Sequence, residues 1–489
     1  MSITGIVFII YLVVLLSVGV FTYRFNKTQE DFLLAGRKLG PWVVAFSERA
    51  SGESAWLLVA LPGAAIAVGL GEVWAAIGII CGIILAWFII ANRLRTETEK
   101  YNALTIPQYL HRRYNDNSNI IRLFAAFIIT FFFAFYVSAQ FHASGKILNT
   151  IFGLNEITGI CIGAIIIVLY TLMGGFFAVA WTDLFQGIIM IGTLVILPIV
   201  GFFELHELGI SLSDSVIAAG GNRASLTMGK TGWAAASVVI GGLSWGLGYF
   251  GQPHLVIRYM SIRSSTDIKK SRLIASAWAI PGISGAFMIG LVALALYGAD
   301  FFPDVEQAMP YLATQLLPAW VAGIVISGAV AAMMSTADSQ LLVSTSAITV
   351  DFYQHIFKKN KSQKSMVRFS RIITVILGIF AFTIAIISEL TGKTIFGVVS
   401  YAWSGLGSSF GPALILTLWW KKTSRIGVIT GMLCGAFITI IWANINVLQL
   451  LVTERLVSFV VAFIAVIILS LLKPDKTNEP INTRNIKTN

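Results

Sequence analysis

Apolar residues fill this chain in windows of about 20, the length at which an α-helix crosses a hydrocarbon layer. Thirteen such windows lie at 4–23, 41–69, 72–92, 119–148, 155–173, 182–203, 231–252, 273–297, 314–346, 369–388, 396–418, 425–446 and 452–472. The pattern predicts an all-α polytopic membrane protein. The first window has no basic residue ahead of it and no small-residue cleavage site, so it reads as a retained span and not a signal peptide. Residues 473–489 form a polar tail.

Composition sharpens the class. Of 489 residues, 57% are hydrophobic and 12% charged, against about 25% charged in soluble domains, and the mean hydropathy is +0.83. A net charge of +11 would suggest nucleic acid in a soluble protein. Here the basic residues sit between spans, so nucleic-acid binding is not expected. With the N-terminus outside, cytoplasmic segments hold 26 Lys and Arg, including Arg24, Lys27, Arg95, Arg258 and Lys421, while outside segments hold five: Lys146, Arg223, Lys230, Lys393 and Arg455. That asymmetry predicts the N-terminus outside and the C-terminus in the cytoplasm. Cys81, Cys161 and Cys434 fall within spans without metal-ligand spacing and read as small core residues.

Windows two to six and seven to eleven form two blocks of five, and an odd block length inverts the second copy relative to the first. The expected organisation is an N-terminal helix and loop (1–40), a first repeat (41–203), an inverted second repeat (231–418), two further helices (419–472) and the tail (473–489). Helix-loosening residues fall in the first member of each block: Gly52 with Pro62 and Gly63, then Gly246, Gly248, Gly251 and Pro253. Matching breaks in inverted repeats point to a midplane binding site in secondary transporters.

The first break carries Glu48, Arg49 and Glu53, although an ionisable group at mid-bilayer costs about 2.5–3.5 kcal/mol even on lenient scales. Arg49 and Glu53 are four apart on one helix face and are expected to pair, which leaves Glu48 to balance a cation: sodium, a proton or a substrate ammonium. Ser335 and Thr336 offer hydroxyls suited to a hard cation, or simply bond back to their own helix. Asp183 reads either as a helix N-terminal cap or as a functional charge, whereas Asp338 lies deeper in its span. Tyr136 with Gln140, and Trp245 with Tyr249, share helix faces and offer either core packing or a substrate wall. His142 points away from the Tyr136 face and reads as core.

These segments resemble the sodium/solute symporter family, and within it the bacterial sodium/proline symporters, over roughly residues 10–475. The resemblance rests on Leu34-Ala35-Gly36-Arg37, Trp56-Leu57-Leu58 with Leu61-Pro62-Gly63, Gly174-Gly175-Phe176 leading to Trp181-Thr182-Asp183, and Met334-Ser335-Thr336. Val399-Ser400-Tyr401-Ala402-Trp403 adds to these, and the run from Trp245 through Gly251, Gln252 and Pro253 to His254 is the most specific piece. It implies a leucine-transporter-type inverted-repeat core with one helix ahead and two behind. It also implies a substrate pocket at Ser54, Trp56, Tyr136, Trp245, Tyr249 and Pro253, and a sodium site from carbonyls at Ala50 and Glu53 with Ala332, Ser335 and Thr336. Asp183 matches an aspartate tied to sodium dependence. The chain departs from the pattern where Gly52 replaces a family aspartate, Ala55 a glycine, and Glu48, Arg49 and Gln140 small residues. Gln140, facing the pocket, joins the candidate substrate residues.

The expected function is sodium-coupled uptake of proline or a close relative by alternating access at the cell membrane. Sodium is the coupling ion, and neither an organic cofactor nor a protein partner is implied. Proton-coupled or sodium-independent transport of a small amino or carboxylic acid is the alternative within the class, with Arg49 as a tethered cation. A membrane sensor is the alternative outside it, against which stands a tail of only 17 residues. No nucleotide loop, filter-like repeat or nucleophile–base set argues for a pump, channel or enzyme.

Overall fold

The computed structural model describes residues 2–22, 34–173, 175–354 and 363–475. Among them are twenty α-helices. They are α1 (Ile3–Thr22), α2 (Pro41–Gly52), α3 (Leu61–Val68), α4 (Val73–Ala86), α5 (Asn92–Lys100), α6 (Ile106–Arg113), α7 (Ile120–Phe152), α8 (Glu156–Met173), α9 (Phe176–Glu207) and α10 (Leu212–Ala218). The rest are α11 (Gly232–Leu243), α12 (Pro253–Ser261), α13 (Ser265–Tyr297), α14 (Ala308–Leu316), α15 (Ala319–Ser346), α16 (Gln363–Leu390), α17 (Ile395–Trp419), α18 (Arg425–Ala443), α19 (Asn446–Leu451) and α20 (Glu454–Leu472). Each of the thirteen apolar windows contains helix within its described residues. Nine helical stretches of the described residues are long and apolar enough to cross a membrane, and Ile3–Val18 and Glu156–Leu172 are shorter apolar helices. The chain is a multi-pass membrane protein.

Several boundaries differ from the sequence expectation, each for a physical reason. The window 41–69 is not one helix: α2 stops at Gly52, Glu53 leaves helical geometry at φ −100, ψ 5, and a π-helical turn over Trp56–Ala60 leads into α3. The window 231–252 is likewise divided. Helix α11 tightens into a 3₁₀ segment over Ser244–Phe250, Gln252 is extended, and Pro253 opens α12 from its first turn, where a missing N–H is harmless. Helix α9 begins at Phe176 rather than near 182, so Asp183 lies two turns inside it and caps nothing. The window 314–346 yields α14, a short link, and then α15.

The interior is built around α2, α7, α9, α13 and α15. Helix α2 packs on α9, α13 and α15, while α7 packs on both α15 and α17. Helices α7 and α13 run 33 residues each, about 50 Å at 1.5 Å per residue, so they tilt within or project beyond a layer about 30 Å thick. Helix α4 meets the 3₁₀ segment backbone to backbone: a Cβ at Gly82 would collide with the Gly246 backbone, and one at Gly246 with the Gly78 carbonyl. Glycine at these positions is what lets the second break lie against α4. Helix α17 also packs on α18 and α20, which pack on one another.

The cysteines differ from the core expectation. Cys81 is exposed, Cys161 and Cys434 are partly so, and all three are free. Their helices turn these small side chains outward. Arg24 and Lys27, as well as Lys358, Lys359 and Lys361, lie outside the described residues, as does the tail from 476.

Candidate substrate and ion site

The first break places three groups of side chains. The charged run comes first. Arg49, Glu48 and Glu53 are completely buried. Arg49 forks onto both acids: Nε donates to Glu48 Oε2 at 2.7 Å, Nη2 to Glu48 Oε1, and Nη1 to Glu53 Oε1 at 2.5 Å. The Arg49–Glu53 pair is therefore present, but Glu48 is not the acid left over. Trp87 Nε1 donates to Glu48 Oε2 at 3.2 Å and the Tyr259 hydroxyl to its Oε1 at 3.4 Å, so both Glu48 oxygens are engaged. Glu53 shares Oε1 between Arg49 and the Tyr249 hydroxyl at 3.4 Å, and its Oε2 has no hydrogen-bond partner among the described residues. Two-point binding of a carboxylate is what a guanidinium does best. That preference assigns Arg49 chiefly to Glu48.

The second group bridges α2 to α15. Ser335 Oγ donates to the Ala50 carbonyl at 2.9 Å and to the Ala332 carbonyl at 3.1 Å. Thr336 Oγ1 donates to the Ser51 carbonyl at 2.9 Å, and Ser51 Oγ to the Ser335 carbonyl at 3.1 Å. Four of the expected ion ligands, Ala50, Ala332, Ser335 and Thr336, thus come together, with Ser51 as an unforeseen fifth. The remaining expected ligand, the Glu53 carbonyl, takes no part in these bonds, and the Glu53 carboxylate lies with Arg49 and Tyr249. The bridging atoms are all hydroxyl or carbonyl oxygens, the ligand type that hard cations select. The arrangement fits an alkali cation, which would draw α2 and α15 together.

Beside it lies a third cluster that local sequence did not reveal. Arg258 was expected in a cytoplasmic segment, but α12 carries it into the interior, where it is fully buried. Its Nη2 donates to Asp183 Oδ2 at 3.0 Å, to Ser51 Oγ at 2.6 Å and to Ser339 Oγ at 2.5 Å, and its Nε donates to Ser47 Oγ at 3.1 Å. Nη1 donates to the His254 carbonyl. Asp183 also accepts from Ser47 Oγ at 2.6 Å and from Ser51 Oγ at 3.1 Å. Asp338 accepts from Ser339 Oγ at 3.2 Å. Asp183 is an interior ion-pair partner and not a cap. Serines at 47, 51 and 339 connect it to the oxygen cluster. The only sequence signal for Arg258 is its position five residues after the proline that ends the second break.

Aromatic faces line the junction of the two breaks. The Trp56 and Trp245 rings stack at 5.7 Å between centroids, and Tyr249 meets Trp403 edge-on at 4.7 Å. Tyr136 stands edge-on to His254 at 5.9 Å and to Trp403 at 6.4 Å. Trp403 Nε1 donates to the Trp245 carbonyl at 3.0 Å, satisfying a carbonyl within the 3₁₀ segment. Ser54, Trp56, Tyr136, Trp245, Tyr249 and Pro253 are all buried in this region. Ser54 Oγ accepts from the Trp56 N–H at 3.3 Å. Gln140 arrives with its amide already committed: Oε1 accepts from the Ala55 N–H at 2.9 Å, and Nε2 donates to the Tyr136 carbonyl at 3.2 Å. It satisfies a backbone donor released by the first break. His142, read as core, is buried but pairs through Nε2 with Glu389 Oε2 at 2.7 Å.

Two interrupted helices meeting around aromatic faces, with an oxygen-only cluster tying the first of them to a third helix, define a secondary transporter. The chain belongs to the Sodium:solute symporter family, whose profile matches residues 32–435. It is 38% identical to the high-affinity proline transporter PutP of Bacillus subtilis over 94% of this chain and 96% of that one. It is 35% identical to the sodium/proline symporter of Escherichia coli, over 96% of this chain and 92% of that protein. Its fold matches a Na+-coupled sialic acid symporter solved in a substrate-bound outward-open state, with a TM-score of 0.80, 19% identity, and coverage of 98% and 99%. MhsT in complex with L-phenylalanine matches more distantly, with a TM-score of 0.53 at 14% identity, over 88% of this chain and 97% of that one. The leucine-transporter-type fold expected from the sequence is the fold found.

Proposed function

We propose that this chain is a secondary active transporter coupling the inward movement of sodium to uptake of proline or a closely related small amino acid. The observation that carries the reading is the bond from Ser335 Oγ on α15 to the Ala50 carbonyl on α2, at 2.9 Å, directly beside the first helix break. The similarity of the chain to curated proline transporters over nearly its whole length supports the choice of solute.

In this reading sodium binds among Ala50, Ala332, Ser335 and Thr336, with the Glu53 carbonyl beside them, and each hydroxyl turns a lone pair to the ion. The solute lies between the breaks, against Ser54, Trp56, Tyr136, Trp245, Tyr249 and Pro253, with Gln140 holding the first break in shape. Sodium then stabilises the α2–α15 contact, and the solute stabilises the approach of the two breaks. Ligands that favour the same closed arrangement each raise the other's affinity, which is the thermodynamic content of coupling. Glu48, Arg49, Asp183 and Asp338 set the charge that the two ligands meet. Segments 41–203 and 231–418 act as the inverted repeats that rock around this site, flanked by 1–40, 419–472 and the tail 473–489. The basic residues orient the chain in the cell membrane with its N-terminus outside and its C-terminus in the cytoplasm.

Uptake of labelled proline into proteoliposomes, with a sodium gradient or a pH gradient imposed separately, tests the reading. Accumulation driven by sodium alone is the expected result. Accumulation driven only by the pH gradient would replace sodium with the proton.

A further inference from the structure

We propose that the side-chain carboxylate of Glu53 receives the amino group of the transported solute, so that this site selects solutes with a protonated amine over ring carboxylates that lack one. The inference rests on the reading above, that the solute lies between the two helix breaks, and it names a recognition residue of that site.

Three observations converge on Glu53. The first is its unequal oxygens: Oε1 takes Arg49 Nη1 at 2.5 Å and the Tyr249 hydroxyl at 3.4 Å, whereas Oε2 has no partner among the described residues, and the residue is completely buried. A buried carboxylate oxygen left without a donor is unfavourable unless a ligand brings one. The second is its neighbour: both Glu48 oxygens are engaged by Arg49, Trp87 and Tyr259, so Glu48 is internally neutralised and has little left to offer a ligand. With all three groups ionised, Glu48, Arg49 and Glu53 sum to one negative charge, which rests on Glu53. The third is position. Glu53 is the residue at which α2 leaves helical geometry, and its Oε1 partner Tyr249 comes from the other broken helix. The Trp56–Trp245 stack, at 5.7 Å, begins three residues further on.

An ammonium or protonated secondary amine carries one positive charge and at least two N–H donors, which matches one negative charge and one oxygen without a donor. Sodium has its own oxygen ligands on the α15 side of the break. The two cations of the transport cycle therefore meet different groups of α2: the ion its carbonyls, the solute amine the carboxylate of Glu53.

The test is inhibition of labelled proline uptake by paired analogues, using the full chain in proteoliposomes under a fixed sodium gradient. Unlabelled L-proline is compared with tetrahydrofuran-2-carboxylate, in which a ring oxygen replaces the amine. For the wild type, the amine-free analogue is expected to inhibit about 100-fold more weakly, the range set by one charge-assisted hydrogen bond in a buried site. In Glu53→Gln this ratio is expected to collapse to about threefold through loss of proline affinity, with the sodium concentration for half-maximal uptake unchanged. Gly40→Ala, away from the charged run and with nothing within 4 Å of the added Cβ, is expected to keep the wild-type ratio. Equal inhibition by both analogues in the wild type overturns the inference without needing a variant, and so does a wild-type ratio in Glu53→Gln. Retained proline affinity in Glu53→Gln, with loss of a pH dependence shown by the wild type, would make Glu53 a proton carrier instead. A wild type that takes up no proline under a sodium gradient would refute the solute reading itself, a result distinct from uptake without discrimination.

Discussion

At the scale of single residues, two buried arginines organise the region of the first break. Arg49 neutralises Glu48 by two-point contact and reaches Glu53 with its remaining nitrogen. Arg258 meets Asp183 through a single nitrogen, and three serines accept from that nitrogen and from Nε. Removing one partner of a buried pair strands the other, at about 3–5 kcal/mol. Arg49→Gln should accordingly lower the melting temperature of the purified protein sharply. Adding Glu53→Gln alone should restore only part of it, because Glu48 remains stranded, whereas adding Glu48→Gln as well should restore most. A triple variant no more stable than Arg49→Gln would contradict the shared-acid geometry. At the oxygen cluster, Ser335 contacts two carbonyls and Thr336 one. Ser335→Ala should raise the sodium concentration for half-maximal uptake by about tenfold or more, and Thr336→Ala by less, since supporting and ligating groups of metal sites typically contribute about 10–100-fold in affinity. Sodium titration of initial uptake rates measures both. Unchanged titrations in the two variants would remove this cluster from the ion path.

At the scale of elements, the function depends on helices that stop early. Arg49 and Glu53 reach one another across a helical turn because α2 persists to Gly52, and Glu53 is free to face Tyr249 because the helix ends there. The second break depends on close backbone approach: Gly82 and Gly246 leave no room for a Cβ between α4 and the 3₁₀ segment. Gly246→Ala should cost about 1–3 kcal/mol, the usual range for overpacking, and should depress uptake by moving Trp245 and Tyr249. Gly40→Ala, where a Cβ meets nothing within 4 Å, should behave as the wild type in both thermal melts and uptake. The breaks themselves were legible in sequence, because Gly and Pro clustered inside an apolar window weaken the helix there whatever packs around it. The side-chain partners were not. Arg258 looks like one more basic residue after a helix break, and its acid lies 75 residues away on another helix. Helical spacing pairs Arg49 with Glu53 and leaves Glu48 over, and nothing along the chain shows that Arg49 forks chiefly onto Glu48. Trp87 and Tyr259, from two other elements, decide which of the two acids is satisfied. Likewise Gln140 sits at the right spacing from Tyr136 for a ligand, yet the first break offers it an N–H to cap.

At the scale of the whole molecule, lipid dictates the architecture before any site is built. Length and apolarity place helix in every predicted window, because a backbone in hydrocarbon has to satisfy its own hydrogen bonds. In the proposed orientation, a cysteine introduced at Lys393 should react with an impermeant thiol reagent from outside the cell, while one at Lys421 should react only after permeabilisation. The reverse labelling pattern would invert the proposed topology. Within that frame two groups of buried charge flank the first break, one of Arg49 with Glu48 and Glu53 and one of Arg258 with Asp183 and Asp338, each summing to one negative charge when ionised; in the proposed reading the solute amine and sodium supply one cation to each. The most direct test of this account is proline accumulation by the purified full-length chain in proteoliposomes with sodium outside, potassium inside and no pH difference. The account predicts concentrative uptake that requires sodium and disappears when the sodium gradient is abolished. Equal uptake with sodium on both sides, or accumulation that follows only an imposed proton gradient, would contradict it.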